Sequence, residues 1–292
     1  MNRGRALRER IGAAGLAHAM SAHNPLSARL AEEAGFDAVW ASGFELSAAY
    51  GVPDASLLSY GQHLDMTRAM VEQTGLPVIA DLDTGYGNAV NAMHVVAAYE
   101  RAGAAAVVIE DKRFPKDTSL LAGGRQELVA IEEFTGKIAA ALSVRADPGF
   151  VVIARTEALI AGLGQDEALA RARAYAAAGA DLVLVHSKQR TPDEVLAFIA
   201  AWDGPVPLAL VPTLYPDLDE ARMRATAKVG LVIYGNHAIR AAVTAMQAVF
   251  RRIRAEGGIR GADGDIVAVE EIFRLQRVAA MKEAEQRFVP RG

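Results

Sequence analysis

Short apolar runs of strand length recur along this chain and alternate with amphipathic, alanine-rich stretches of helix length. The runs are continuously apolar, which is typical of strands covered on both faces of a parallel sheet. Eight such strands alternating with helices predict an α/β protein, specifically a closed (β/α)₈ TIM-type barrel. An open doubly wound sheet shows the same alternation and remains the alternative. The runs are residues 17–20, 36–40, 77–80, 105–109, 150–154, 182–185, 206–211 and 230–234.

The length and composition fit one such barrel with extensions. The chain has 292 residues, of which 52% are hydrophobic and 23% are charged, and this balance argues against disorder. We therefore predict a single barrel domain over residues 1–292, with a C-terminal helical extension over residues 263–292. That extension either folds on its own barrel or reaches across to a partner subunit.

Several classes of function are disfavoured by composition. The chain has no cysteine, which excludes disulfides, thiolate zinc sites and cysteine catalysis. The net charge is −4 without a basic run, so no nucleic-acid partner is expected. The sequence also lacks the long apolar segment of a membrane span and the uninterrupted apolar core of a signal peptide. We expect a soluble cytoplasmic protein.

Polar residues follow nearly every predicted strand. In an α/β barrel the carboxyl ends of the strands form the active-site face, so these residues are expected to meet at one mouth. They are Ser42-Gly43-Phe44, Asp81-Leu82-Asp83, Glu110-Asp111-Lys112, Arg155-Thr156-Glu157, His186-Ser187-Lys188, Pro212-Thr213 and Gly235-Asn236-His237.

Three acidic residues in this set predict a metal site. Asp81 and Asp83 are two apart, so on an extended strand they face the same way, and Glu110 arrives from the neighbouring strand. Hard oxygen ligands favour Mg²⁺ or Mn²⁺ over zinc. The alternative is that these acids cap helices or pair with residues such as Lys112 and Arg155.

The segment after the fourth strand, EDKRFPKDTS from Glu110 to Ser119, has the proline and charge density of a loop. A loop of this length after a barrel strand is often a lid. Its residues Lys112 and Lys116 either meet an anionic substrate or are solvated. Arg155 ends a buried strand and therefore requires an anionic partner.

Together these residues resemble the phosphoenolpyruvate mutase/isocitrate lyase superfamily over nearly the whole chain. The resemblance implies a (β/α)₈ barrel whose last helix is swapped between subunits, and hence a homodimer or homotetramer. The matching segments are AHNPLSARLAEEAGF (22–36), SGFELSAAYGVPD (42–54), DLDTGYGN (81–88), EDKRFPKDTS (110–119), ARTEALIAG (154–162) and HSK (186–188).

The resemblance points to the branch that acts on phosphonopyruvate. Isocitrate and methylisocitrate lyases carry a catalytic cysteine in the loop after strand four, and this chain has none. Mutases of the superfamily typically have asparagine where this sequence has Thr118. This favours hydrolysis of the carbon–phosphorus bond to pyruvate and phosphate. The alternatives are phosphoenolpyruvate/phosphonopyruvate mutase, an oxaloacetate-type 2-oxo acid lyase, and a non-catalytic ligand-binding barrel.

The resemblance also implies the ligands of the metal and of the substrate carboxylate. Mg²⁺, with Mn²⁺ or Co²⁺ as alternatives, is expected at Asp81, with Asp83 and Glu110 holding its waters. Ser42, Gly43 and Phe44 are expected to bind the carboxylate end of the substrate.

The remaining implied roles concern the phosphonate and its displacement. Arg155 and His186 are expected to hold the phosphonate oxygens. Asp54 matches the family's essential aspartate, which either attacks phosphorus or positions groups or water. Lys116 is expected to close over the phosphoryl group, and Thr118 to position water or leave space for it.

Overall fold

The computed structural model describes residues 2–12 and 15–290. Within these ranges, eight parallel strands form a closed barrel in chain order, with β8 pairing to β1. The closed barrel is therefore confirmed, and the open sheet was the wrong alternative. The strands are β1 (Ala17–Ala22), β2 (Ala38–Ala41), β3 (Val78–Asp81), β4 (Ala106–Glu110), β5 (Val151–Thr156), β6 (Leu182–Val185), β7 (Leu208–Leu210) and β8 (Val229–Tyr234).

Helices connect the strands and continue beyond the last one. Three of them begin at capping boxes, where Asn24, Ser59 and Asn88 accept backbone N–H groups of the first turn. The helices are α1 (Arg3–Gly12), α2 (Pro25–Glu33), α3 (Gly43–Ala49), α4 (Tyr60–Gln73), α5 (Ala89–Arg101), α6 (Ile131–Ser143), α7 (Gly164–Ala177), α8 (Asp193–Ala201), α9 (Glu220–Ala225), α10 (His237–Glu256), α11 (Val269–Leu275) and α12 (Val278–Phe288), with a 3₁₀ turn at Asp263–Asp265.

The strands are apolar at successive positions because both of their faces are buried. In β5, Val151 and Ile153 belong to the cluster inside the barrel, whereas Val152 and Ala154 pack with the surrounding helices. Strand β7 is shorter than the predicted run because Pro207 has no N–H to donate to the ladder. This doubly covered sheet holds the strand ends, and the polar residues that follow them, in fixed positions.

The chain divides into two compact units, one ending at Ile239 and the other beginning at Arg240. The first contains the barrel. The second contains most of α10 and all of α11 and α12, and it exposes large apolar side chains such as Phe250 and Phe288. The predicted single domain and the exchange of a C-terminal helix between subunits stay predictions. In the described part of the chain, no helix has the length and apolarity needed to cross a bilayer.

Candidate active site

A cavity of about 520 Å³ opens at the carboxyl ends of the strands. Openings of about 630 and 790 Å³ lie at the opposite end of the barrel, but the charged residues around them are all at least partly exposed to solvent. The 520 Å³ cavity is instead walled by buried charged groups. The predicted site residues on its wall are Ser42, Phe44, Asp54, Asp81, Lys116, Thr118, Arg155 and His186.

Asp81 and Asp83 meet beside Gly43 at the end of β3. A Cβ atom at Gly43 would lie 3.0 Å from Asp83 Oδ1 and 3.2 Å from Asp81 Oδ2, so a larger residue would crowd both carboxylates. The strand-alternation argument for this pair was wrong, because β3 ends at Asp81 and Asp83 has a left-handed φ of 50°. A turn, rather than an extended strand, therefore directs the second carboxylate to the first. Strained backbone of this kind is typical of functional sites.

Lys116 reaches from the loop after β4 into this acidic cluster. Its Nζ lies 2.7 Å from Asp83 Oδ1 and 3.2 Å from Asp54 Oδ1. Burial alone would lower the pKa of Lys116, but Asp54 and Asp83 outweigh it and raise that pKa well above its usual value. Burial, followed by repulsion from Asp54 and Asp81, raises the pKa of Asp83 to about 7, even though Lys116 opposes the shift. One lysine therefore faces more negative charge than it neutralises.

Thr118 ties the same loop to the segment that carries Asp54. Its hydroxyl donates to the Asp54 carbonyl oxygen at 2.8 Å, and the Lys116 backbone N–H donates to Ser56 Oγ at 3.4 Å. These contacts bring Thr118 next to Asp54, and both residues line the cavity. Both residues predicted to control the attacking group are thus brought together.

Arg155 has the anionic partners that its buried position requires. Its Nε lies 2.6 Å from Glu157 Oε1 and 3.4 Å from Glu110 Oε2. Burial would lower the pKa of Arg155, but Glu157 and Glu110 outweigh it and raise that pKa above its usual value. Arg155 Nη2 also donates to His186 Nδ1 at 3.1 Å.

His186 lines the cavity beside Arg155. Burial, together with the charge of Arg155, lowers the pKa of His186 and so favours the neutral ring. Because Nδ1 accepts from Arg155, the ring proton is assigned to Nε2. Within the described residues Nε2 is buried without a hydrogen-bond partner, so its N–H is not used by the protein's own groups there.

The acidic cluster fits a magnesium ion that keeps several waters. Within the described residues, no three His, Asp or Glu side chains form a ready-made ligand set. However, both Glu110 oxygens and Asp83 Oδ1 are buried there without a hydrogen bond, although Lys116 forms an ion pair with Asp83 Oδ1 and Arg155 with Glu110 Oε2. Unsatisfied buried carboxylate oxygens require a cation or its waters, and Mg²⁺ is usually held by one or two carboxylates plus water. Asp81, Asp83 and Glu110 therefore supply oxygen donors of the kind that suit Mg²⁺, and the direct ligation by Asp81 stays a prediction.

Ser42 and Gly43 have structural partners in addition to their predicted roles. Ser42 caps α3: its Oγ accepts from the Glu45 N–H and donates to the Gly235 carbonyl, each at 3.2 Å. The Gly43 N–H donates to Asp81 Oδ2 at 3.2 Å. Helix α3 itself was missed by the sequence analysis, although serine directly after an apolar strand is a known signal for a helix start. Their predicted contact with the substrate, and that of Phe44, stays a prediction.

Two residues beside Arg155, Glu157 and Ser119, were not assigned a role from the sequence, and Lys112, which was expected to meet the substrate or to be solvated, is buried beside them. Lys112 Nζ lies 3.1 Å from Glu157 Oε2, and the Ser119 hydroxyl donates to the same oxygen at 2.6 Å. For Glu157 the available signal was its spacing of two positions from Arg155, although β5 itself ends one residue earlier, at Thr156. Ser119 had no such signal, since its position depends on how the loop folds back.

Comparison with known proteins extends this description. The family model for phosphoenolpyruvate phosphomutase matches residues 7–254. The chain is 60% identical to phosphonopyruvate hydrolase of Variovorax sp. (strain Pal2) over 99% of this chain and 100% of that protein. It is 43% identical to phosphoenolpyruvate phosphomutase of Tetrahymena pyriformis over 97% of this chain and 94% of that one. A crystal structure of phosphonopyruvate hydrolase with oxalate and Mg²⁺ superposes with a TM-score of 0.94 at 58% identity, covering 99% of this chain and 100% of that one.

Proposed function

Because this chain belongs to the phosphoenolpyruvate phosphomutase family, we propose that it hydrolyses the carbon–phosphorus bond of phosphonopyruvate to pyruvate and phosphate. The supporting observation is the 60% identity to a phosphonopyruvate hydrolase across 99% of the chain. Identity to the Tetrahymena mutase is 43%, which supports mutase activity less. The protein is a hydrolase of carbon–phosphorus bonds, and Mg²⁺ is its cofactor, as in the oxalate complex of its relative.

We propose that Asp81 holds the metal directly and that Asp83 and Glu110 bind its waters. When bound, Mg²⁺ draws electron density from the keto and carboxylate oxygens of the substrate. Gly43 keeps space open beside Asp81 and Asp83, because any side chain there would approach both carboxylates. Lys116 offsets part of the negative charge of Asp54 and Asp83.

Arg155 and His186 are assigned to the phosphonate. Arg155 is oriented by Glu157 through Nε and by His186 and Ser119 through Nη2, so little freedom is lost when it meets an anion. The His186 Nε2–H supplies a second donor to the phosphonate oxygens. Fixed donors of this kind stabilise the charge that develops on a transferring phosphoryl group.

Asp54 and Thr118 are assigned to the attacking water. Thr118 donates its proton to the Asp54 carbonyl, so its oxygen lone pairs stay available to accept from water. The water oxygen bonds to phosphorus while the phosphorus–carbon bond breaks. The electron pair of the broken bond passes to C3 of the pyruvate enolate. That enolate takes a proton at C3, and the water gives up a proton toward Asp54. Lys116 holds Asp54 in place at 3.2 Å.

Phosphorus NMR of purified protein with phosphonopyruvate and Mg²⁺ tests the function, with a chelator control and a parallel oxaloacetate assay. Metal-dependent phosphate and pyruvate, without phosphoenolpyruvate, is the expected result. Phosphoenolpyruvate as the product would make the enzyme a mutase. An unchanged phosphonate together with cleaved oxaloacetate would make it a lyase, and binding without turnover would favour a non-catalytic barrel.

We further propose that the protein assembles as a homodimer or homotetramer through the unit that begins at Arg240. This unit leaves large apolar side chains exposed, including Phe250 at 64% and Phe288 at 69%. Such surface usually marks an interaction site. Light scattering on the purified protein tests this, and a monomer at micromolar concentration would contradict it. The cytoplasmic location also stays a proposal.

A further inference from the structure

Ser119 connects the loop after β4 to the charged residues beneath the cavity. Its hydroxyl donates to Glu157 Oε2 at 2.6 Å and accepts from Lys112 Nζ at 2.7 Å and from Arg155 Nη2 at 3.1 Å. A serine hydroxyl offers one donor and two lone pairs, so its bonding capacity is fully used. A single loop residue therefore contacts one buried anion and two buried cations.

These contacts depend on the position of the loop. The loop leaves the barrel at Lys112 and returns at Leu128, where the two residues form an isolated antiparallel bridge. Between them, Lys116, Thr118 and Ser119 all line the cavity. The Ser119 hydroxyl can reach Arg155 only while the loop lies over the cavity, as it does in this structure.

The contact between Ser119 and Arg155 helps to set the direction of the remaining guanidinium nitrogen, Nη1. Nε is engaged by Glu157 at 2.6 Å, and Nη2 is shared between Ser119 and His186, each at 3.1 Å. In the described part of the chain Nη1 has no hydrogen-bond partner, and Arg155 lines the cavity. The guanidinium group is planar, so fixing Nε and Nη2 also fixes the direction of Nη1.

We propose that Ser119 is a positioning residue that aligns the Arg155 guanidinium with the phosphonate when the loop covers the cavity. The proposal rests on the proposed function in that Arg155 is assigned there to the phosphonate. Without the hydroxyl, Arg155 retains Glu157 and His186 but loses the contact that depends on loop position. Removing the hydroxyl should reduce the stabilisation of the transition state more than it weakens substrate binding. The reason is that charge on the phosphoryl oxygens develops as the carbon–phosphorus bond breaks.

The test compares Ser119→Ala, Ser119→Thr and Gln126→Ala. Gln126 also tethers the loop, donating from Nε2 to the Thr118 carbonyl at 3.1 Å, but it makes no hydrogen bond to Arg155. We expect Ser119→Ala to lower kcat roughly tenfold to a hundredfold with a smaller change in KM. Ser119→Thr, which keeps the hydroxyl, restores most of kcat, and Gln126→Ala leaves kcat within about threefold of wild type.

A binding measurement separates this proposal from the proposed function. Calorimetry in Mg²⁺ compares inorganic phosphate, which Arg155 would contact, with oxalate, which has no phosphoryl group. Ser119→Ala should weaken phosphate binding and leave oxalate binding unchanged, whether or not wild type hydrolyses phosphonopyruvate. Equal loss for both ligands, a kcat within twofold of wild type, or an equal loss in Gln126→Ala would overturn the proposal.

Discussion

At the scale of single residues, the site depends on a small number of charged side chains, each of which has few ion-pair partners. Lys116 is the one cation in hydrogen-bonding range of both Asp54 and Asp83 among the described residues. Thr118 contributes its proton to a backbone carbonyl and so keeps its lone pairs for the cavity. Substitutions here should change chemistry more than stability, because the surrounding barrel does not depend on them.

Asp54→Ala should lower kcat by about 10²–10⁴-fold, since it removes the carboxylate assigned to the attacking water. The measurement is phosphate release, with circular dichroism to establish that the variant is folded. Asp65→Ala is a matched control, because the Asp65 side chain is 76% exposed and pairs with Arg68 on the surface. Turnover near that of wild type in the Asp54 variant would show that Asp54 is not essential.

Thr118→Asn should reduce phosphate formation and produce some phosphoenolpyruvate. The reason is that the mutases resembled by this chain have asparagine at this position, and the amide adds bulk where water is expected to sit beside Asp54. Phosphorus NMR distinguishes the two products in one sample. If hydrolysis is unchanged and no phosphoenolpyruvate forms, the assignment of Thr118 to water is wrong.

At the scale of elements, the ends of β4 and β5 and the loop between β4 and α6 share one buried network. Glu157, directly after β5, forms ion pairs with Arg155 and Lys112 and accepts a hydrogen bond from Ser119. Burial would raise the pKa of Glu157, but Arg155 and Lys112 outweigh it and hold that pKa well below its usual value. The negative charge of Glu157 therefore stabilises both the strand end and the loop.

Glu157→Gln should lower the free energy of unfolding by about 3 kcal/mol at pH 7, because it leaves two buried cations without their shared anion. Urea unfolding measures the change. Glu9→Gln is the matched control, since the Glu9 side chain is 67% exposed in a surface pair and its loss should cost less than about 0.5 kcal/mol. Equal effects of the two substitutions would contradict the role given to Glu157.

Wild type and Glu157→Gln should differ less in unfolding free energy at acidic pH than at pH 7. A carboxyl group whose folded-state pKa is depressed stabilises the fold above its unfolded pKa, which is 4.5 for Glu157, and loses that contribution as pH falls toward the folded-state value. The difference in unfolding free energy between wild type and Glu157→Gln should therefore be largest above pH 4.5 and shrink below it. A difference independent of pH would show that packing, and not charge, is responsible.

At the scale of the whole molecule, the barrel supplies a rigid frame and the metal completes its charge balance. The carboxylates at the mouth lie close together in the described residues, and burial, followed by repulsion from Asp54 and Asp81, raises the pKa of Asp83 to about 7 even though Lys116 opposes the shift. A cation bound there should stabilise the folded state as well as allow turnover.

Mg²⁺ with oxalate should raise Tm by about 5 °C at concentrations near 100 times Kd, since a ligand that binds only the folded state stabilises it by about 2.7 kcal/mol under those conditions. Differential scanning fluorimetry measures the shift, and a chelator should reverse it. Asp81→Asn should abolish most of it, while Asp65→Asn, on the surface, should retain it. A full shift in the Asp81 variant would place the metal elsewhere.

The sequence alone determined the class of fold and which residues lie together at the carboxyl ends of the barrel strands. Continuous apolar runs require burial on both faces, and parallel strands place their carboxyl ends together, so Asp81, Glu110, Arg155 and His186 were predictable from their positions after strands. Asp54, Lys116 and Thr118 were predictable only through resemblance, because they lie in loops whose own chemistry favoured turns or solvated charge.

Only the tertiary structure decided how these groups are paired. The left-handed turn at Asp83, the reach of Lys116 to both Asp54 and Asp83, and the contacts of Ser119 with Glu157 and Arg155 depend on where loops fold back in space. Periodicity reports which face of a strand or helix is buried, and it carries no information about a loop without a repeating pattern. Pairing between residues far apart in the chain is set by the packed barrel, which determines the distances over which buried charges interact.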